Sequence, residues 1–204
     1  MKPTAIWLAS KSPRRGELLA QIGVAFEVLR MREAAGRAPD VLEVAHDGEP
    51  PLHYVERIAR TKANAGWQSM LARGLGARPV LGADTEVIVE GEVLGKPADE
   101  RAAKAMLARL AGRTHDVVTA VAIRWQDDTL FALSSTRVTL APLSRAAIAA
   151  YVASGEPFDK AGGYGIQGRA AAFVTRIEGS YSGVMGLPLA ETATLLARAG
   201  FPVP

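Results

Sequence analysis

The sequence predicts a mixed fold, α/β or α+β, on three observations. Short apolar runs of strand character alternate with stretches of helical periodicity, turn residues punctuate them at short intervals, and no repeat or low-complexity linker divides the chain. The first element is a strand over 4–9. The polar turn Ser10-Lys11-Ser12-Pro13 follows, then a helix carrying Leu18, Leu19 and Ile22 that stops at Gly23. Ser12 suits the N-cap of that helix and Pro13 its first position. After a short strand over 26–29, residues 30–51 hold Gly36, Pro39, Gly48, Pro50 and Pro51. They read as a long surface loop, which in a compact domain is usually functional or disordered. A helix over 52–71 comes next. A strand over 80–84 ends in Asp84, and 86–89 with 92–94 form a hairpin turning at Glu90-Gly91. Asp99 caps a helix that runs to 111 and is ended by Gly112. Strands over 115–125 and 129–140 are joined through 126–128, and Ser144 opens a short helix to 153. Residues 155–186 contain eight glycines in 32 positions, too dense for regular elements apart from a strand over 171–177. Such density suggests backbone that approaches a ligand closely. A helix over 189–199 is the last element. No clean boundary cuts the chain, so 1–204 is expected to be one domain.

Composition excludes several classes. The 204 residues carry 24 Lys plus Arg against 21 Asp plus Glu, a net charge of +3, with 49% apolar residues. Disorder needs apolar poverty and high net charge, so a packed core is expected. The longest uninterrupted apolar stretch, 146–153, is eight residues, against the roughly 20 of a spanning helix. No membrane role is expected. There is no basic segment followed by an apolar one at the start and there are no cysteines, so the expected setting is cytoplasmic, without disulfides or thiolate metal sites. The pI of about 9.4 invites a nucleic-acid partner. The basic residues form no run, however, and aromatics are only 6% of the chain, so any anion handled is expected to be small.

Three placements point to chemistry. Arg14 and Arg15 occupy the first turn of the first helix, where the macrodipole disfavours cations. A phosphate bound by the Ser10 and Ser12 hydroxyls, the exposed N–H groups and two guanidinium forks would reward them; the alternative is that both point into water. Lys62 continues the stripe Val55, Ile58, Ala59 onto the face that should be buried. There it must snorkel, pair with an acid or meet a ligand. Asp84 lies at the end of an apolar strand, where sheet proteins open onto clefts, or else simply caps a turn with Thr85. Glu43, Glu49 and Glu86 are candidates to share a divalent cation with it, and Lys96, between Gly95 and Pro97, can reach a phosphate or face water. Other chemistries lack their residues. His46, His53 and His115 show no metal-ligand spacing, and there is no G-x-S-x-G elbow, no GxxxxGK[ST] loop and no GxGxxG after a strand.

The blocks LASKSPRRGELL, YVERIARTKA, VLGADTEVIVEGEVLGKP, GRTHDVVTAVAI, YVASGEPFDKAGGYGIQG and GSYSGVMGLPL together resemble the Maf family of nucleoside triphosphate pyrophosphatases, in the family's order and over most of the chain. The resemblance implies a Maf/ITPase-like α/β fold, an elongated mixed β-sheet with flanking helices and a cleft between two lobes, usually as a homodimer. It implies hydrolysis of a nucleoside triphosphate between the α- and β-phosphates with a divalent metal, Mg²⁺ or Mn²⁺. Asp84 matches the family's proton acceptor, and Arg14, Thr85 and Gln167 match positions linked to substrate choice. Glu43, Lys62 and Lys96 match polar positions of the family cleft. Glutamine at 167 resembles the dTTP/UTP branch, where the 7-methyl-GTP branch typically has glutamate. Leu42-Glu43 stands where the family commonly has an acidic pair, so one metal or water ligand is absent.

The mechanism expected from both lines places Ser10, Ser12, Arg14 and Arg15 on the triphosphate, with Lys62 and Lys96 neutralising charge as pyrophosphate leaves. The metal would be held by Glu43 and Asp84, and the Asp84 carboxylate would take the proton of the attacking water. The rival expectation is a non-catalytic nucleotide sensor or cell-division regulator that uses the same cleft.

Overall fold

The computed structural model describes residues 5–32 and 40–203. Thr4 and residues 33–39, which fall within the expected first strand and first long loop, lie outside the described residues. The elements are β1 (Ile6–Leu8), α1 (Pro13–Gln21), β2 (Phe26–Val28), α2 (Pro51–Ala72), β3 (Val80–Val89), β4 (Glu92–Leu94), α3 (Glu100–Leu110), β5 (Thr114–Trp125), β6 (Asp128–Leu140), α4 (Arg145–Val152), β7 (Val174–Glu178), α5 (Tyr181–Val184) and α6 (Leu189–Arg198). Seven strands form one open sheet in the order β2-β1-β3-β5-β6-β7, with β4 paired to β3. The sheet is mixed: β1 runs parallel to β2 and β3, whereas β3–β4 and β6–β7 are antiparallel. With its flanking helices this is the expected α/β class.

The chain divides into two compact units, residues 1–84, 119–133 and 186–204, and residues 85–118 and 134–185. In the first, α2 lays an apolar stripe of Val55, Ile58, Ala59, Ala63 and Met70 inward at helical spacing. Gly66 on this stripe has no room for a side chain, since a Cβ there would lie 2.7 Å from Val80 Cγ1. Trp7, Leu29, Trp67, Met70 and Val80 pack together beside it. In the second unit, Leu107 and Leu110 of α3 pack with Val117, Leu140, Tyr151 and Tyr164 in a separate core. Asp99 and Ser144 cap α3 and α4 through their side chains, as expected. The hairpin turns at Glu90 and Gly91, both with positive φ (54° and 79°), the conformation a two-residue turn requires.

Three expectations need correction. The strand said to end at Asp84 does not end there: β3 runs unbroken for ten residues, with Asp84 in its middle. Apolar side chains on both sides of the Asp84-Thr85-Glu86 polar step keep the strand going, because Val87, Ile88 and Val89 beyond it are buried, as Val80 and Leu81 before it are. The glycine-rich segment is not wholly irregular. Three 3₁₀ turns at Glu156–Asp159, Ala161–Gly163 and Arg169–Phe173 occupy much of it, and the third displaces the start of the last strand from 171 to Val174. Ser12 does stand at the N-cap of α1, but its side chain makes no capping hydrogen bond.

Candidate active site

The site in the first unit is set up by a missing side chain. Strand neighbours two apart share a face, so Gly82 and Asp84 both point from one side of β3. A Cβ on Gly82 would lie 2.5 Å from the Ala63 nitrogen and 2.7 Å from the Ala59 carbonyl oxygen. Glycine therefore lets the strand lie directly on the backbone of α2. The next residue on that face, Asp84, then meets Lys62, one helical turn beyond Ile58.

Lys62 Nζ donates to Asp84 Oδ1 at 2.8 Å and pairs with Glu43 Oε2 at 3.0 Å. Of the three open readings for this lysine, the observed one is pairing with acids. Asp84 is 4% exposed and its Oδ2 is buried with no hydrogen-bond partner among the described residues, an arrangement that costs free energy unless something is meant to occupy it. Glu43 opens the cluster to solvent, its side chain 52% exposed against 14% for Lys62.

Arg14 and Arg15 lie on the first turn of α1, as expected, and differ in burial. Arg14 is half-buried, while Arg15 is buried. Its Nε donates to the Gly186 carbonyl at 2.8 Å and its Nη1 to Ser10 Oγ at 3.0 Å; the same Ser10 oxygen accepts the Ser12 N–H at 3.2 Å. Burial pushes the Arg15 guanidinium below its ordinary pKa, and the Asp84 and Glu43 carboxylates push back. Arg15 thus anchors α1 to the segment before α6 while adding positive charge to the field around Asp84. Thr85, Lys96 and Gln167 belong to the second unit. Thr85 follows Asp84 along β3 and is half-buried, Lys96 is exposed after β4, and Gln167 is exposed in the turn before Arg169–Phe173.

Among the described residues no group of three His, Cys, Asp or Glu could hold a metal ion by itself. Glu49, offered as a possible ligand, is committed elsewhere: Arg57 bonds both its oxygens at 2.6 Å, and these bonds lower its pKa to about 2. Glu86, the remaining candidate, follows Asp84 by two positions on β3 and is half-buried; the carboxylates that converge on the Lys62 ammonium are Glu43 and Asp84. Such a donor set fits Mg²⁺ or Mn²⁺ that arrives with phosphate oxygens completing its shell, because Mg²⁺ is ordinarily held by one or two carboxylates plus substrate phosphates.

Two residues escaped the sequence reading. Gly82 was passed over inside an apolar run, although a glycine in a strand interior is itself a sign of close backbone approach. His115, dismissed as a ligand for lack of spacing, is 3% exposed. Its Nε2 lies 2.7 Å from the Tyr164 hydroxyl, and its Nδ1 is buried without a partner among the described residues. Nothing in its one-dimensional pattern distinguishes it from a strand-end histidine facing water.

Residues 5–199 match the sequence pattern of the family described as Maf-like protein. The chain is 53% identical over 206 residues to a dTTP/UTP pyrophosphatase of Aromatoleum aromaticum, with all of both chains covered. It is 56% identical over 196 residues to one of Burkholderia pseudomallei, covering 95% of this chain and 93% of that one. It is 52% identical over 198 residues to one of Nitrosomonas europaea, covering 97% and 96%. A family pattern spanning nearly the whole chain, beside relatives this similar from end to end, leaves one conclusion: the chain belongs to the Maf family.

Proposed function

We propose that this protein is a nucleoside triphosphate pyrophosphatase that hydrolyses dTTP and UTP to the monophosphate and pyrophosphate. The observation that carries the mechanism is the buried Asp84 carboxylate, one oxygen held by Lys62 at 2.8 Å and the other without a hydrogen-bond partner among the described residues. A general base needs an oriented lone pair that no other donor already occupies, and Lys62 supplies the orientation by fixing Oδ1. Water attacks the α-phosphorus, Asp84 Oδ2 accepts its proton, and the bond from the α-phosphorus to the bridging oxygen breaks with the electron pair leaving on pyrophosphate. Arg14 and Lys96 hold the phosphates, and Lys62 shifts part of its charge from Glu43 to the leaving group as negative charge develops. Arg15, through Ser10 and Gly186, keeps the first turn of α1 in place. Glu43 and Asp84 are the residues that would hold a divalent cation, which would supply Lewis-acid polarisation and charge neutralisation of the phosphoryl oxygens.

Gln167 and Thr85 set the choice of base. A carboxamide both donates and accepts, as the O4/N3–H edge of uracil or thymine requires, whereas a carboxylate suits the donor-rich edge of guanine. Similarity to the three dTTP/UTP pyrophosphatases supports the same substrate class. The family resemblance extends the reading to a homodimer, and a cytoplasmic setting is part of the proposal; no helix among the described residues is long and apolar enough to cross a membrane.

The test is pyrophosphate release with Mg²⁺ from dTTP, UTP, CTP, GTP and 7-methyl-GTP, by the wild type and by Asp84→Asn. Turnover of dTTP and UTP is expected, with kcat lower by about 10²–10⁴ in the variant. Nucleotide binding without turnover by the wild type contradicts the proposal and favours a sensor.

A further inference from the structure

The turn that carries Gln167 lies between Gly165 and Gly168, and glycine at both positions ordinarily makes for a mobile loop. Here it is fastened from both sides. Tyr151, buried on the last turn of α4, donates its hydroxyl to Glu156 Oε1 at 3.0 Å, and Glu156 Oε2 accepts the Arg169 N–H at 3.0 Å. The turn itself closes through Gly168 N–H to Gly165 O at 3.1 Å.

The glycines are the space these contacts need. A Cβ on Gly168 would lie 2.2 Å from Glu156 Oε1, and one on Gly165 would lie 2.5 Å from Lys160 Cε. Lys160 in turn donates to the Glu156 carbonyl at 2.8 Å. Between the two glycines Ile166 is buried, which leaves Gln167 as the exposed side chain. Two bonds and two close-packed side chains hold a four-residue turn whose apex is one exposed carboxamide, a larger investment than covering a loop requires.

We propose that Tyr151 and Glu156 form a clamp that fixes the position of Gln167 and so act as positioning residues for nucleobase recognition. This rests on the reading of Gln167 as a base-contacting residue. A carboxamide discriminates a pyrimidine edge by having its donor and acceptor in place before the base arrives; a loose turn must order them on binding and gives up affinity for it. Burial, helped by the bond to Glu156, raises the Tyr151 pKa above its ordinary value, so the hydroxyl stays a donor at working pH.

Three variants open the clamp by different means: Tyr151→Phe deletes the donor, Glu156→Gln removes a charged acceptor, and Gly168→Ala displaces the Glu156 carboxylate while every polar group is retained. Because Gly168 has no positive φ, alanine there adds no backbone strain, and a folding failure of one variant leaves the other two. Measured beside them are kcat and KM for UTP and GTP, and amide hydrogen exchange over 165–169. The expected result is a KM for UTP raised about tenfold, the size of one lost hydrogen bond, with kcat within about twofold. The UTP-over-GTP preference falls by a similar factor, exchange over 165–169 quickens, and Tyr151→Phe has no further effect on preference in a Gln167→Ala background. Unchanged KM and preference in the clamp variants, beside a Gln167→Ala that loses the preference, overturns the clamp alone. A Gln167→Ala that keeps the preference overturns the base-reading role, and the inference with it.

Discussion

Each of the two units buries a polar pair that is left half-satisfied, and the two pairs differ in what that means. Among the described residues, Asp84 in the first unit gives Oδ1 to Lys62 and leaves Oδ2 without a partner, and His115 in the second gives Nε2 to Tyr164 and leaves Nδ1 without one. The first pair is charged and continues outward through half-exposed Glu43. Its outer member meets solvent, and in the proposed mechanism the Asp84 oxygen that Lys62 leaves free takes the proton of water. The second is neutral and sealed, with His115 3% and Tyr164 5% exposed, so no ligand completes it. Desolvation lowers the histidine's pKa to about 4, which keeps the imidazole neutral and makes the pair a pH-dependent stability term. An orphaned buried atom signals function only where charge and access accompany it.

The comparison breaks most severely at Gly82. A methyl group there collides with backbone rather than with a flexible side-chain tip, so Gly82→Ala must push β3 away from α2 and pull Asp84 from Lys62. We expect about 10²-fold lower kcat from the misplaced carboxylate and about 1–3 kcal/mol lower stability from overpacking. Urea unfolding beside UTP turnover checks both; a variant with normal activity would show that the Asp84–Lys62 contact does not depend on this approach.

The smaller effect sharpens the other side. Because His115 binds its proton more weakly folded than unfolded, its contribution is fully present above pH 6.5 and is lost as the pH falls toward about 4, amounting to about 3 kcal/mol. Urea unfolding of the wild type between pH 7 and 4, compared with His115→Gln, isolates the term: the difference between the two should shrink or reverse across that window. A difference independent of pH would mean that the histidine titrates alike in both states.

Much of the fold was legible because its signals are local. Asp99 and Ser144 cap helices where the sequence places them, Gly23 and Gly112 follow helices with positive φ, and the Glu90-Gly91 turn lies where the hairpin needs it. What was misread depends on neighbours distant in sequence. Asp84 looks like a strand terminus, yet β3 continues because the apolar residues beyond it are buried. The 3₁₀ turns among the glycines owe their geometry to side chains such as Glu156 packed on Gly168. In the site, the stripe position of Lys62 announced a buried-side cation, but only tertiary packing says that it lands on Asp84 and Glu43. Arg14 and Arg15 are adjacent in sequence and read alike, whereas the fold leaves the first half-buried and buries the second against Gly186. Glu49 read as a spare acid because its partner Arg57 is eight residues away, across the start of α2.

The most direct test of the central claim is hydrolysis of UTP in ¹⁸O-enriched water with Mg²⁺, followed by mass analysis of both products. Attack of water at the α-phosphorus, with Asp84 taking its proton, predicts one ¹⁸O atom in UMP and none in pyrophosphate. Label in pyrophosphate with unlabelled UMP would place the attack on the β-phosphorus and contradict the account.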